Sequence, residues 1–363
     1  MIRLLNGDAL AMLRTLPSES VHCVVTSPPY WGLRDYGVAG QIGLEQSLGQ
    51  HIDALVGVFR EVRRVLRKDG TVWLNYGDAY ACAPNGRSAA DTKVLGNDDR
   101  TFRDKPISTV GPIYDPAGGA KGGGPRGENK GAGNGGEALP NGRIVAGGVL
   151  KPKDRMLLPA RIAIALQEDG WWVRDEIIWH KPNPMPISVR DRTTPAHEMV
   201  YLLSKAERYF YDQEAIKEPI AETSKARYAQ ETLNSQTGGF KQEMYESGLV
   251  GQRSRSRRPA EILKTLAGQE KRNRRSVWSL STKPFSGAHF ATFPPDLIRP
   301  MILAGCPVGG TVLDPFGGAG TTGLVAQELG RNAILIELSE AYCGIIRKRL
   351  NLLPAEIEEA LAL

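Results

Sequence analysis

Asp314-Pro315-Phe316-Gly317-Gly318-Ala319-Gly320-Thr321-Thr322-Gly323 lies between a short β-branched run at 311–313 and a helical pattern at 321–329. A strand that ends in a carboxylate, turns through glycines and opens a helix is a βα turn of an open α/β sheet. Its glycines let a ligand approach the backbone amides at the helix N-terminus, where negative charge is favoured. The spacing Gly318-x-Gly320-x-x-Gly323 formally satisfies the dinucleotide fingerprint, and Glu337 follows a predicted strand at 333–336, where a carboxylate can grip ribose hydroxyls. Taken alone, these residues suit NAD as readily as S-adenosylmethionine. Asp314 tilts the reading towards the latter, because a carboxylate attracts the positive amino group of a methionine moiety and repels a pyrophosphate.

Outward from this turn the α/β rhythm continues. Helical patterns are predicted from Pro294 to Ala304 and over 340–350. Near the start, Leu4-Leu5, a short helical pattern ending near Pro17 and the run Val21-His22-Cys23-Val24-Val25-Thr26 read as strand, helix, strand. Residues 51–68 carry apolar side chains at helical spacing, close with Lys68-Asp69-Gly70 and lead into the alternating strand 71–75, an α/β crossover unit. A helix at 157–168 and strands at 171–179 and 199–203 follow. Alternation at both ends of the chain predicts one doubly wound, mostly parallel sheet with an inserted region.

The 363 residues, 41% apolar, are enough for one large domain or two. Four scattered cysteines with no C-x-x-C pair indicate neither a zinc site nor a disulfide framework. No basic-then-apolar leader opens the chain and no run approaches the ~18 apolar residues of a membrane span, so a soluble, cytoplasmic protein is expected. Residues 111–148 hold fourteen glycines and few aromatics, a composition that does not bury enough to order itself. The net charge is +6, and residues 221–275, with twelve Lys and Arg against six Asp and Glu, account for an excess equal to that of the whole chain. The expected organisation is a catalytic half at 1–80, a glycine-rich insertion at 81–150, continuation of the sheet at 151–212, a basic region at 213–280 and a cofactor-binding half at 281–363.

Thr26-Ser27-Pro28-Pro29-Tyr30 leaves a buried-looking strand directly, so two prolines stiffen the exit and an aromatic stands at the carboxyl edge, where open α/β sheets form their sites. The exocyclic amine of a nucleobase is a poor nucleophile, its lone pair being delocalised into the ring. Acceptors aimed at its protons, here the Ser27 hydroxyl and the Pro28 carbonyl, favour a more tetrahedral nitrogen, and Tyr30 offers a face on which an extruded base stacks.

Together these elements resemble the amino-methylating, S-adenosylmethionine-dependent DNA methyltransferases, in the permuted order where the catalytic tetrapeptide precedes the cofactor loop. Ser27-Pro28-Pro29-Tyr30 is similar to that family's [DNS]-P-P-[YFW] motif, and Asp314-Pro315-Phe316-x-Gly318-x-Gly320-Thr321-Thr322 to its cofactor motif. Asn6-Gly7-Asp8 resembles its acidic amino-terminal element, Trp179-His180-Lys181-Pro182-Asn183-Pro184 the tract that shapes the base pocket, and His289-Phe290-Ala291-Thr292-Phe293-Pro294 the element ahead of the cofactor strand. The resemblance implies a Rossmann-like fold, cofactor contacts from Asp8, Thr26, Asp314, Phe316, Gly318, Gly320, Thr321 and Glu337, and a base site at Ser27, Pro28, Pro29 and Tyr30. It implies no metal. A bacterial or phage enzyme acting on double-stranded DNA is expected, and the helix at 339–350 with its apolar tail could support a homodimer.

Serine at the first tetrapeptide position is usual in members that methylate cytosine N4, aspartate in those that methylate adenine N6, so cytosine is the favoured target and adenine the alternative. In the basic region, Arg253, Arg255, Arg257 and Arg258 with Lys271, Arg272, Arg274 and Arg275 are candidate DNA contacts. Two other readings are a nicotinamide-dependent oxidoreductase, which leaves Ser27–Tyr30 unexplained, and an inactive DNA-binding protein on the same fold. His180 is left unassigned, His197 is given a local hydrogen bond, Asp78 suits a turn, and Trp171 and Trp172 are expected in the core.

Overall fold

A computed structural model describes residues 1–32, 38–81, 149–151, 153–228, 270–282, 293–352 and 357–359. It separates into two compact units, one of Met1–Asp212 with Ser276–Leu363 and one of Gln213–Arg275. Most of the glycine-rich insertion lies outside the described residues, as do Arg253, Arg255, Arg257, Arg258 and the stretch 289–292.

Among the described residues, the larger unit is built on a nine-stranded sheet. Its strands in chain order are β1 (Ile2–Asn6), β2 (Val21–Thr26), β3 (Leu66–Tyr76), β4 (Trp172–His180), β5 (His197–Ser204), β8 (Val277–Ser279), β9 (Thr311–Asp314), β10 (Asn332–Glu337) and β11 (Ile357–Glu359); β6 (Glu218–Pro219) and β7 (Lys271–Arg272) pair in the smaller unit. The spatial order is β11-β1-β10-β9-β2-β3-β5-β4-β8. All neighbours run parallel except β5, which is antiparallel to both β3 and β4. The mixed α/β, mostly parallel architecture matches the expectation. Strand β8 belongs to the large sheet, so that sheet resumes at Val277, inside the stretch 213–280 expected to form the basic region.

Strand β2 is buried along nearly its whole length, as a β-branched run between two parallel neighbours must be. Helix α2 (Leu48–Val65) begins three residues before the apolar periodicity suggests. Ser47 and Gln50 form a capping box there, the Ser47 hydroxyl accepting from the Gln50 amide at 3.2 Å and the Gln50 side chain from the Ser47 amide at 3.1 Å. The helix buries Leu55, Val58, Phe59, Val62 and Val65, and Phe59 meets Trp171 edge-on at 6.4 Å. It also ends early. Leu66 is already extended, and residues 67–70 bulge within β3 before Thr71 rejoins β2 opposite Cys23. Trp171 is a core residue as expected, whereas Trp172, at the exposed start of β4, is 42% accessible.

Among the described residues, the other α-helices are α1 (Ala9–Thr15), α3 (Leu158–Glu168), α5 (Pro295–Gly305), α6 (Thr321–Glu328) and α7 (Glu340–Leu350), with α4 (Glu222–Tyr228) in the smaller unit. Gly305, at the end of α5, lies directly on the sheet: a Cβ there would stand 2.5 Å from the Thr71 hydroxyl and 2.6 Å from the Trp73 indole nitrogen.

One consequence of the topology positions the site. Strands β1, β10, β9, β2 and β3 end side by side with Asn6, Glu337, Asp314, Thr26 and Tyr76, and the reversed β5 begins at that same edge with His197 and Glu198.

Candidate active site

On one half of this edge the glycine-rich turn is held in a single shape. Gly318 (φ +52°) and Gly320 (φ +75°) occupy left-handed backbone that side chains disfavour, and Gly320 caps α6. The third glycine has a packing role, since a Cβ at Gly323 would approach Leu335 and Leu350 to 2.8 and 2.9 Å. The Glu337 carboxylate accepts from the Gly318 amide and the Ser339 amide, both at 2.8 Å, and burial raises its pKa. Beside it, Asn6 donates to the Glu337 carbonyl at 3.0 Å, and Gly7 does the same from its amide at 3.0 Å. Asp8 is the N-cap of α1, accepting from the Ala11 amide at 2.9 Å.

Asp314 is buried. Its carboxylate accepts from the Thr26 hydroxyl at 2.7 Å, the Thr322 hydroxyl at 2.7 Å and the Phe316 amide at 3.1 Å. Burial pushes its pKa up to about 7 even though these three donors pull the other way. A carboxylate has about four lone-pair sites, so one is left for a further donor. Phe316 is half-buried against the core. Thr321 accepts from Arg349 at 3.0 Å, which also holds the Ala319 carbonyl at 2.8 Å.

The Thr26–Asp314 bond joins the two halves of the edge, because Thr26 is the last residue of β2 and the tetrapeptide starts immediately after it. Ser27 and Tyr30 are half-buried and Pro28 is buried. The Tyr30 ring lies 4.6 Å from that of Tyr76 and passes so close over Gly77 that a Cβ there would be 2.5 Å from it. Its hydroxyl donates to Glu198 at 2.9 Å, and burial together with that carboxylate drives the phenol pKa well upward. Glu198 also accepts from Asn75 at 3.2 Å and pairs with Lys181, whose ammonium sits 4.3 Å above the Trp179 ring.

Behind the turn runs a buried chain of polar groups. Tyr76 donates to the Pro29 carbonyl at 3.1 Å and accepts from the Trp31 amide at 3.2 Å, gripping the backbone on both sides of Tyr30. The Tyr76 oxygen is 2.7 Å from His51 Nε2, and His51 Nδ1 is 2.8 Å from Glu45, whose carboxylate also accepts from the Gly43 amide. The single Tyr76 hydroxyl thus sits between the Pro29 carbonyl, the Trp31 amide and His51 Nε2.

Sequence reasoning missed Glu198, Asn75, Gly77 and the Glu45–His51–Tyr76 chain. The periodic run 71–75 points to β3, but nothing local tells that its last residues face a strand more than a hundred positions away. Other assignments resolve simply. His180 Nδ1 meets the Ser279 hydroxyl at 3.0 Å, linking β4 to β8, and Asp78 binds Arg155 at 2.6 Å and the Leu158 amide at 3.1 Å, organising the entry to α3. In the smaller unit, Arg272 and Arg275 share Glu218 at 2.9 and 2.6 Å; burial works to raise that carboxyl's pKa, but the two guanidiniums outweigh it and hold it low. Among the described residues no cluster of histidines, cysteines and carboxylates has the makings of a metal site, and no helix is long and apolar enough to cross a membrane.

A family model described as DNA methylase matches residues 21–348. The chain belongs to the DNA methylase family. It is 41% identical over 348 residues to the type II methyltransferase M.Cfr9I of Citrobacter freundii, covering 96% of this chain and 87% of the relative. Among solved structures, PvuII DNA methyltransferase (cytosine-N4-specific) superposes with a TM-score of 0.53 at 17% identity, covering 100% of this chain and 96% of the other. A Thermus thermophilus protein described as a DNA modification methylase, in complex with S-adenosyl-L-methionine, gives a TM-score of 0.50 at 20% identity, covering 99% of both chains. These likenesses place the fold among methyltransferases. Family membership makes this chain a DNA methyltransferase and sets aside the nicotinamide oxidoreductase.

Proposed function

We propose that this DNA methylase uses S-adenosylmethionine to methylate the exocyclic N4 of a cytosine held at Ser27–Tyr30. The observation that carries the reading is the Thr26–Asp314 hydrogen bond, which sets a nucleotide-type glycine turn beside a Ser-Pro-Pro-Tyr turn on one sheet edge. The residues fit the cofactor: positive-φ glycines allow close approach at 318 and 320, and Glu337 and Asp314 keep lone pairs for ribose hydroxyls and an amino group. Asp8, Thr26, Phe316 and Thr321 complete this candidate set. The bound cofactor would supply an electrophilic methyl group.

The protein's own part is to position. The Ser27 hydroxyl and the Pro28 carbonyl accept hydrogen bonds from the two amino protons, which localises the nitrogen lone pair; the new N–C bond would form as the methyl–sulfur bond breaks, and the proton then surplus on the nitrogen would be shed along these hydrogen bonds to solvent, since neither acceptor is basic enough to keep it. Tyr30 stacks on the base, and its ring is fixed before the base arrives by Glu198, Tyr76 and the missing side chain of Gly77. Serine at position 27 supports cytosine over adenine. The basic residues of 213–275 are assigned to the DNA backbone, with the phosphate term carrying most of the salt-dependent affinity.

With labelled cofactor and unmethylated mixed-sequence DNA, the wild-type protein is expected to label the DNA. Tyr30→Ala should cut the rate about 10-fold or more, the worth of one base–aromatic stack, with cofactor affinity unchanged. Equal rates for the two proteins would overturn the base site.

A further inference from the structure

The segment between β4 and β5, residues 181–196, leaves the active edge and returns to it. Its base is closed by the Lys181 amide donating to the Ala196 carbonyl at 2.7 Å, and it is fastened to residues after β8 by reciprocal bonds between the Asn183 side chain and the Thr282 backbone at 3.1 and 3.3 Å. Lys181 and Glu198, one on each limb, pair with each other, and Glu198 is the acceptor for Tyr30. The loop therefore stands on the residues that fix the proposed base site.

Its far part is unlike an ordinary polar loop. Met185 is 85% exposed, Ile187 37% and Val189 41%, three apolar side chains within five residues. Single exposed apolar residues need no explanation, but a run of them does. Prolines at 182, 184 and 186 alternate with Asn183 and Met185, fixing φ at every second position and favouring extended backbone at the residue before each. Met185 is thus presented on a stiff arm reaching at most about 14 Å from Lys181. The flanking charge is positive: Arg190 is exposed, Arg192 lies 3.7 Å over the Tyr80 ring, and the intervening Asp191 is engaged by Lys153.

We propose that residues 184–192 form a wedge that enters duplex DNA beside the target nucleotide, with Met185 and Ile187 taking the place in the base stack from which the cytosine is swung out, and Arg190 lying along the phosphates. Duplex DNA suits this surface for three reasons. The loop is rooted at the base site, its net charge complements a polyanion, and apolar side chains inserted between base steps are a recurring way of offsetting the cost of unstacking. A stiff arm loses little entropy on insertion. The inference rests on the placement of the target base at Ser27–Tyr30.

The test compares M185S/I187S with wild type and with Tyr30→Ala on two DNAs: a matched duplex established as an acceptor, and the same duplex with the target cytosine mispaired, where extrusion costs less. The wedge variant is expected to lose about 10-fold or more in kcat/KM on the matched duplex and to come within about 3-fold of wild type on the mispaired one, whereas Tyr30→Ala loses on both. Its melting temperature should fall by no more than a few degrees, Met185 being almost fully exposed and Ile187 more than a third exposed, so a fold-wide loss is not expected on either DNA. Wild-type rates on the matched duplex, or equal loss by the wedge variant on both DNAs, would overturn the wedge. Full activity of Tyr30→Ala on both would instead remove the base site on which it stands.

Discussion

Asp314 is a carboxyl whose pKa is raised from 3.8 to about 7 by burial, and two consequences follow from the sign of that change. A group that holds its proton more tightly folded than unfolded contributes stability that is fully present below its unfolded pKa and is lost as pH rises through the folded one. The cofactor-free protein should therefore lose part of its melting temperature between pH 4 and 7 on account of this residue, and Asp314→Asn should flatten that dependence. If Asp314 meets a cationic α-amino group, cofactor affinity should rise about 5-fold from pH 6 to pH 7 as the carboxyl ionises and level off near pH 8 as the amino group loses its own proton, a rise titration calorimetry would read and Asp314→Asn would abolish. At Tyr76, removal of the hydroxyl strips the Pro29 carbonyl and His51 of a partner. Tyr76→Phe should cost about 1–3 kcal/mol in unfolding free energy. It should also lower kcat while leaving KM for the cofactor unchanged, since the cofactor half of the edge does not touch it; a change in that KM alone would contradict the assignment.

At the scale of elements, the strand–turn–helix around Asp314 was legible because periodicity, glycine spacing and a strand-ending carboxylate all point the same way. Strand β5 was legible as a strand but not as the antiparallel one, since apolar alternation carries no direction. That reversal brings Glu198 to Tyr30. Likewise α2 was read from its apolar face, and its true start lies with the Ser47–Gln50 box outside that periodicity. Close packing of α5 on the sheet depends on Gly305, whose missing side chain leaves no room between the helix end, Thr71 and Trp73. Gly305→Ala should destabilise the fold by about 1–3 kcal/mol through overpacking, measurable by denaturant unfolding, and a neutral effect would show that the contact is looser than its geometry.

The whole molecule comprises a larger unit, whose sheet edge carries both candidate sites, and a smaller unit, Gln213–Arg275, that falls within the basic region. The charge excess at 221–275 was plain in the sequence, but pairing is not. Arg272 and Arg275 share one carboxylate, so they bring less net charge to a phosphate than their number suggests. Replacing Arg253, Arg255, Arg257 and Arg258 by serine should lower the slope of log affinity for DNA against log salt by up to about 3.6, with cofactor binding intact. A slope unchanged by all four would take the run out of the DNA interface. The most direct test of the central claim is the identity of the methylated nucleoside. DNA methylated by the purified protein with labelled S-adenosylmethionine, digested to nucleosides and separated by mass, should carry its label in N4-methylcytosine; label in N6-methyladenine would contradict the cytosine assignment.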